Sequence, residues 1–560
     1  MTGKYFLRLG ACVTLAAALL GACSKQETDK PPAADLIISG GPVHTGAAGA
    51  PAEAVAVTDG RIIAVGATAE INTLVGPHTE KIDLAGAALY PGFTDAHAHL
   101  LGIGMRELTL NLEGVASIEE LVDIIAANVG ETNPGDTVYG RGWIETGWPE
   151  KRFPSRDDLD PVSPDNPVVL YRADGHAALA NSAALDAAGV DDATPDPEGG
   201  RIDRDASGRA TGILIDNAMS LIGAVVGGPS PAAREEAYKI GAEVYAEYGW
   251  TGVHNMSVDP ADVTVMENLA RAGALPIRVY NALDPEGLDW LVQNAPHTDE
   301  TGRIITRAVK LYVDGALGSR GAALSEPYSD RPETSGLLLM QEDEALAMMT
   351  KAKNAGVQVA THAIGDRGNG LVLDWYETVI GGEGPSPRWR IEHSQILHVE
   401  DIPRFADLGV IASMQPSHAI GDLYFAPDRL GADRLAGAYA WRSLIDNGAI
   451  VAGGTDAPVE RGDPLIEFYA AVARKSLDGF SNADWHPEEA VTREEALRMF
   501  TAWPAYAAFQ EDELGTIEVG KRADFTAFSK DIITISEEEI LATKAVLTVV
   551  DGEVIYRRQD

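Results

Sequence analysis

Pro91-Gly92-Phe93-Thr94-Asp95-Ala96-His97-Ala98-His99-Leu100 reads as an extended segment that ends in two histidines two positions apart. On a strand, positions i and i+2 share a face. His97 and His99 can therefore aim at one cation from one strand end, with Asp95 on the same side. Four more apolar runs carry a ligand-type residue at or near their ends: Lys310 in AVKLYVDGALGS, His362 in VQVATHAIGD, His393 in RWRIEHSQ and Asp456 in IVAGGTDAP. Taken singly, each has a plainer role. The histidines could be hydrogen-bonded core or surface residues, Asp456 a loop cap, and Lys310 a structural lysine paired with Asp314. Taken together, they are a ligand set for one or two divalent cations.

The runs themselves set the fold. Gly92–His97, Trp250–Asn255, Leu275–Ala282, Ala308–Asp314, Val357–His362, Trp389–His393, Gly409–Gln415 and Ile450–Asp456 are short, apolar and separated by helix-like stretches such as Glu342–Gly356. Alternation of this kind predicts parallel strands with crossover helices, and eight units predict a closed α/β barrel, the (β/α)8 or TIM-like architecture. In that fold the C-terminal strand ends converge on one rim, so the scattered ligands would meet. Between the first and second runs lies far more chain than one helix needs. Residues 103–245 are therefore expected to be an insertion, with its own strand-like pieces TVYGRGW and PVVLYRADGHA.

Both ends of the mature chain read as strands and turns. Asp59-Gly60 and Asp551-Gly552 each sit between alternating runs and predict hairpins. The expected division is residues 35–90 and 506–560 as two parts of a small β-sandwich, and 91–505 as the barrel. Residues 1–22 read as a signal peptide: Lys4 and Arg8, an apolar run from Val13 to Leu20, then Leu20-Gly21-Ala22-Cys23, which looks like the lipobox of a bacterial lipoprotein. Cys23 would carry the lipid, and residues 23–34 would be a flexible tether. The expected location is the bacterial cell envelope, lipid-anchored and facing the periplasm. Ser24 after the cysteine favours the outer membrane.

The chain has 560 residues, with 44 Lys+Arg against 84 Asp+Glu, a formal charge of −40. Such a surface repels nucleic acid and anionic headgroups, so a small-molecule substrate is expected and no nucleic-acid partner. The only cysteines are Cys12 and Cys23, which leaves the mature domain no thiolate for catalysis or metal binding.

Lys310 needs chemistry of its own. Burial lowers a lysine pKa, and the neutral amine can capture carbon dioxide as a carbamate, an anion able to bridge two metals. The motifs together resemble the amidohydrolase superfamily, and within it the amidohydrolase family 3 (YtcJ-like) branch. PGFTDAHAH, VKLYVDGALGSRGAAL, THAIGD, RIEHSQ and GGTDAP carry the resemblance, with LYRADGHAALANSAAL in the insertion. It implies His97, His99, Lys310, His362, His393 and Asp456 as metal ligands, with Lys310 carboxylated. His254-Asn255 departs from the branch pattern and is given no metal role.

The ligand set then predicts a hydrolase that cleaves a non-peptide C–N bond (amide, formamide or cyclic amide) with a metal-activated hydroxide. His97, His99 and Asp456 would hold one cation, and His362 and His393 a second, with Lys310 between them. Zinc is the default, with manganese or iron as alternatives. Asp456 would act as base and then acid. His176 and Arg320 are candidate substrate contacts, Arg320 for a substrate carboxylate. Ester or lactone hydrolysis at the same site, or a non-catalytic solute-binding lipoprotein, are the alternative functions.

Overall fold

The computed structural model describes residues 33–559, apart from 198, 228 and 382–386. The expected signal peptide, lipid attachment site and nearly all of the tether lie outside the described residues.

All eight apolar runs are strands. They are β1 (Phe93–Ala98), β2 (Trp250–Val258), β3 (Arg278–Leu283), β4 (Ile304–Tyr312), β5 (Gln358–Ala363), β6 (Arg390–His393), β7 (Ile411–Met414) and β8 (Val451–Gly453). Each pairs in parallel with the next in chain order, and His297–Thr298 adds a short antiparallel strand to β4. Every residue of β5, β6 and β7 is buried, as expected for parallel strands covered on both faces. The fold is α/β, a nearly closed, TIM-like barrel.

Closure falls between β8 and β1, where contacts just beyond the strands replace a full ladder. Asp456 N–H donates to His97 O at 2.6 Å, and His99 N–H donates to Ala457 O at 2.8 Å. The buried carboxylate of Asp95 clasps the same seam. It accepts from His97 N and Thr455 N at 3.0 Å each, from Tyr245 OH at 2.8 Å and from Thr455 Oγ1 at 2.6 Å. Asp95 is thus committed to closing the ring and does not point at a cation. Gly454 permits the close approach, since a Cβ there would lie 2.5 Å from His97 N.

Several strand ends differ from the sequence expectation, among them the start of β4 and the end of β8. β4 begins at Ile304, four residues before the expected Ala308, because Ile304–Thr306 extend the ladder with β3. β8 ends at Gly453, so Asp456 stands in the following loop with φ 59°, left-handed for a residue with a side chain.

Strands from the two chain ends form one eight-stranded sheet, in which Phe525–Phe528 runs antiparallel to Ala88–Pro91. Both Asp-Gly pairs turn antiparallel hairpins, with φ of 49° and 72° at Asp59-Gly60 and 52° and 76° at Asp551-Gly552. That is the primed-turn geometry which suits twisted strands. Aromatic packing joins this sheet to the floor of the barrel. Phe93 lies edge-on to Phe528 at 5.2 Å and stacks on Phe500 at 6.1 Å. Between β1 and β2, the chain forms a separate six-stranded sheet that includes Val138–Trp143, Val168–Arg172 and Ala210–Asp216. Trp143 and Trp148 pack in its core, with indole N–H groups donating to Leu170 O and Val115 O. Among the described residues, no helix is long and apolar enough to cross a membrane.

Candidate metal centre and active site

The strand ends deliver the imidazoles to one place. Ligand atoms of His97, His393 and Asp456 lie within 4.8 Å of one another, and all three residues are buried. His97 Nε2 is 3.5 Å from Asp456 Oδ1, His99 Nε2 is 3.1 Å from the same oxygen, and His393 Nδ1 is 3.9 Å from Oδ2. The rings of His362 and His393 are 4.6 Å apart at their centroids. His393 thus stands between His97 and His362, its ring 4.8 Å from that of His97 and 4.6 Å from that of His362. His362 Nε2 lies 3.5 Å from Asp314 Oδ1.

Fixed hydrogen bonds set which nitrogen faces the cluster. His97 Nδ1 meets Glu392 Oε2 at 2.6 Å. Burial alone would push Glu392 up, but the Arg390 guanidinium beside it holds the carboxyl well below its usual range. Glu392 is therefore an acceptor, His97 Nδ1 is the donor, and Nε2 keeps its lone pair. Burial and the charge of Lys310 lower His97 to about 4, which keeps it neutral. His393 is held in the same way, with Nδ1 2.8 Å from Gln415 Oε1. His97 Nε2 and His362 Nε2 are buried with no hydrogen-bond partner. A buried imidazole nitrogen left open, as at His97 and His362, with a carboxylate fixing the far nitrogen of His97, fits a divalent cation.

Backbone strain points to the same spot. His393 has φ 75°, Ser394 43° and Asp456 59°. Each such conformation costs roughly 1–3 kcal/mol and persists only where its surroundings enforce it, typically at functional sites.

Lys310 is 1% exposed, and its Nζ lies 4.9 Å from the Tyr312 ring centroid. Burial lowers its pKa, against the pull of Glu392, Asp456 and Asp284. Asp314 is not its counter-ion. That carboxylate accepts from Ile364 N at 2.9 Å and from Gly365 N and Ala323 N at 2.8 Å each.

A cavity of about 910 Å³ opens over the cluster, lined by His99, Lys310, His362, His393 and Asp456. His176 also lines it, with Nδ1 2.7 Å from Asp216 Oδ1 and its ring 5.3 Å from that of His362. Burial opposes a charge on His176, but Asp216 outweighs it and raises the pKa. Arg320 is not brought to the cavity. It pairs with Asp330 at 2.8 Å, a structural ion pair, because the loop after β4 turns its side chain away.

His418 is a neighbour of the cluster that the motifs above did not include. Its Nδ1 accepts from Gln395 Nε2 at 3.0 Å, so Nε2 carries the hydrogen, 3.8 Å from Asp456 Oδ2. It is a donor beside the cluster, where His97 and His393 are acceptors. Its position just past β7, in QPSHA, was the available signal. His254 accepts from Arg390 at 2.7 Å, and Asn255 Oδ1 accepts from Leu100 N at 2.9 Å, so both serve the framework.

The amidohydrolase family matches residues 80–556. The chain belongs to the amidohydrolase family. It is 35% identical over 516 residues to the putative amidohydrolase YtcJ of Bacillus subtilis, covering 90% of this chain and 96% of that one. It is 31% identical over 541 residues to the N-substituted formamide deformylase of Arthrobacter pascens, covering 94% and 98%. The crystal structure of an uncharacterized metal-dependent hydrolase from Pyrococcus horikoshii superposes with a TM-score of 0.73 at 28% identity, covering 90% and 99%. As a family member the chain is an enzyme, a hydrolase of carbon–nitrogen bonds.

Proposed function

We propose that this amidohydrolase cleaves a non-peptide amide, formamide or cyclic amide in a small molecule, using a divalent cation held by His97, His393 and Asp456. The convergence of those three residues within 4.8 Å carries the proposal. The formamide deformylase, similar along nearly its whole length, supports the substrate class. His99 completes the site through its contact with Asp456. Lys310 and His362 border it and would hold a second cation, with Lys310 as a carbamate: its neutral amine adds to carbon dioxide and releases one proton. Zinc suits imidazole and carboxylate donors best, with manganese or iron as alternatives. When bound, the cation acidifies a water and polarises the carbonyl. The chain supplies the rest. Asp456 takes the proton of the attacking water and returns it to the leaving nitrogen. Glu392 holds His97 in its open tautomer, and His418 offers a hydrogen bond at the carbonyl.

The test combines elemental analysis of protein purified without added metal with a hydrolysis screen of N-formyl and N-acyl amines and matched esters. Two metal equivalents, turnover of the amides, and loss of activity on chelation with recovery on adding zinc are expected. Asp456→Asn should lower kcat by more than about a thousandfold, the loss of a proton shuttle compounded by weaker positioning, while much of the metal stays bound. Full activity in D456N, or in metal-free protein, would refute the mechanism. Turnover of esters alone would move the reading to ester hydrolysis.

We also infer that the chain is anchored in the cell envelope by lipid on Cys23, supported by Leu20-Gly21-Ala22-Cys23 behind an apolar run. Cys23→Ser should shift the protein from the membrane to the soluble fraction. Unchanged fractionation would remove the anchor.

A further inference from the structure

Among the described residues, the inserted sheet places one guanidinium in the catalytic cavity without a direct ion-pair partner. Arg141 lies on strand Val138–Trp143, opposite Tyr171, and lines both the 910 Å³ cavity and a neighbouring one of about 490 Å³. Its Nη2 donates to Ala173 O at 2.9 Å. Its Nε is buried with no partner. Among the described residues it forms no ion pair. The other arginine lining the catalytic cavity, Arg234, is committed to Asp262. Arg172, one strand over, is committed to Glu145 and Asp174.

This arrangement is built in. Arg141 lies against Gly175, where a Cβ would come within 3.2 Å of Nη2 and where φ is 71°. The Asp174-Gly175-His176 turn thus shapes the wall on which the guanidinium rests, and the same turn brings His176 beside His362. Of the cavity's acids, Asp174 and Asp456 attract Arg141 from a distance, but Asp174 is paired with Arg172 and Asp456 with His99. Asp259, Glu286 and Glu344 also line the cavity, but they are exposed. Their charges are hydrated and screened over about 8–10 Å at physiological salt, so they give Arg141 no partner. A partly buried guanidinium with an open N–H is poorly solvated until an anion arrives. Its planar fork of donors matches a carboxylate in two-point contact.

We propose that Arg141 is the specificity residue of this site, that it binds a carboxylate on the substrate, and that the enzyme therefore acts on acidic N-acyl or N-formyl compounds in preference to neutral amides. This rests on the reaction proposed above. It transfers to Arg141 the role that the sequence suggested for Arg320.

The test uses a matched pair, N-formylphenylalanine and N-formyl-2-phenylethylamine, which differ only in the carboxylate. The wild-type chain should prefer the acid. Arg141→Gln should lower kcat/KM for the acid by about 10- to 100-fold, the loss of one or two charge-assisted hydrogen bonds, and leave the neutral compound within about twofold. Arg141→Lys, which keeps the charge but loses the fork, should fall between them, with the loss mainly in KM. An equal loss on both compounds, or no wild-type preference, overturns the proposal.

Binding separates this from a failure of the reaction itself. N-formylphenylalanine is titrated calorimetrically into the D456N chain and into the same chain carrying R141Q. At least tenfold weaker binding with R141Q supports the anchor even if neither compound turns over. Equal affinity, or no binding to either chain, overturns it.

Discussion

Glu392 does not line the cavity, yet it holds His97 of the candidate centre. It is fully buried, bonded to His97 Nδ1 at 2.6 Å and to Arg390 Nε at 2.8 Å. Arg390 in turn donates to Ala96 O, Ser413 Oγ and His254, which ties β1, β2, β6 and β7 together beneath the cluster. Glu392→Gln should loosen metal retention roughly 10- to 100-fold, because His97 loses its orienting anion. It should also cost about 3–5 kcal/mol of stability, because the Arg390 charge is left buried without its partner. Metal titration and denaturant unfolding read the two effects, and a variant with wild-type metal affinity would remove Glu392 from the site. Its position was visible in RIEHSQ, but nothing in that string says that the glutamate serves a histidine nearly three hundred positions earlier. The same limit applies to the arginines. Arg320 looked like a substrate contact by sequence position, and Arg141 was only one residue of the strand-like piece TVYGRGW. Which of them is spent on an internal ion pair, as Arg320 is on Asp330, depends on tertiary placement, and that leaves no periodic trace in sequence.

At the scale of elements, the strands were legible because each is a short apolar run bounded by helix-like sequence, and burial on both faces imposes that pattern. Their limits were less so, since the ladder with β3 rather than apolarity decides where β4 begins. The Asp-Gly hairpins were legible because their turns demand positive φ. Beyond its turn, Asp551 binds the terminal sheet to the barrel. It pairs with Arg278 at 2.5 Å and Arg522 at 2.9 Å, and Arg278 also pairs with Asp524 at 2.6 Å. Burial opposes ionisation of Asp551, but the arginines win and hold its pKa below the usual carboxylate range. A depressed folded-state pKa gives stability that is complete above the unfolded value and is lost as pH falls through the folded one. The wild-type melting temperature should therefore drop steeply below about pH 4. Asp551→Asn should melt lower at neutral pH and show a shallower acid limb. Parallel profiles for the two proteins would exclude Asp551 from the linkage.

At the scale of the whole molecule, the charge of −40 on 560 residues acts on every part at once. Raising salt from about 10 mM to about 300 mM shortens the Debye length from about 30 Å to under 10 Å and weakens self-repulsion. The melting temperature should rise over that range, measured on holoenzyme at constant pH, and a flat or falling curve would show that local ion pairs outweigh the net charge. The barrel was legible at this scale because eight apolar runs and ligands at strand ends admit one arrangement that brings them together. How the inserted sheet meets the barrel was not, because that contact depends on surface shape rather than on a repeat.

The seam between β8 and β1 has a consequence for how the enzyme fails. The ring is fastened by the backbone of Asp456 and His97, the same two residues whose side chains frame the proposed cation site. A hoop whose buckle is also its working part cannot slacken and keep working. Heat or denaturant should release metal and end turnover in one step, ahead of any loss confined to the inserted sheet.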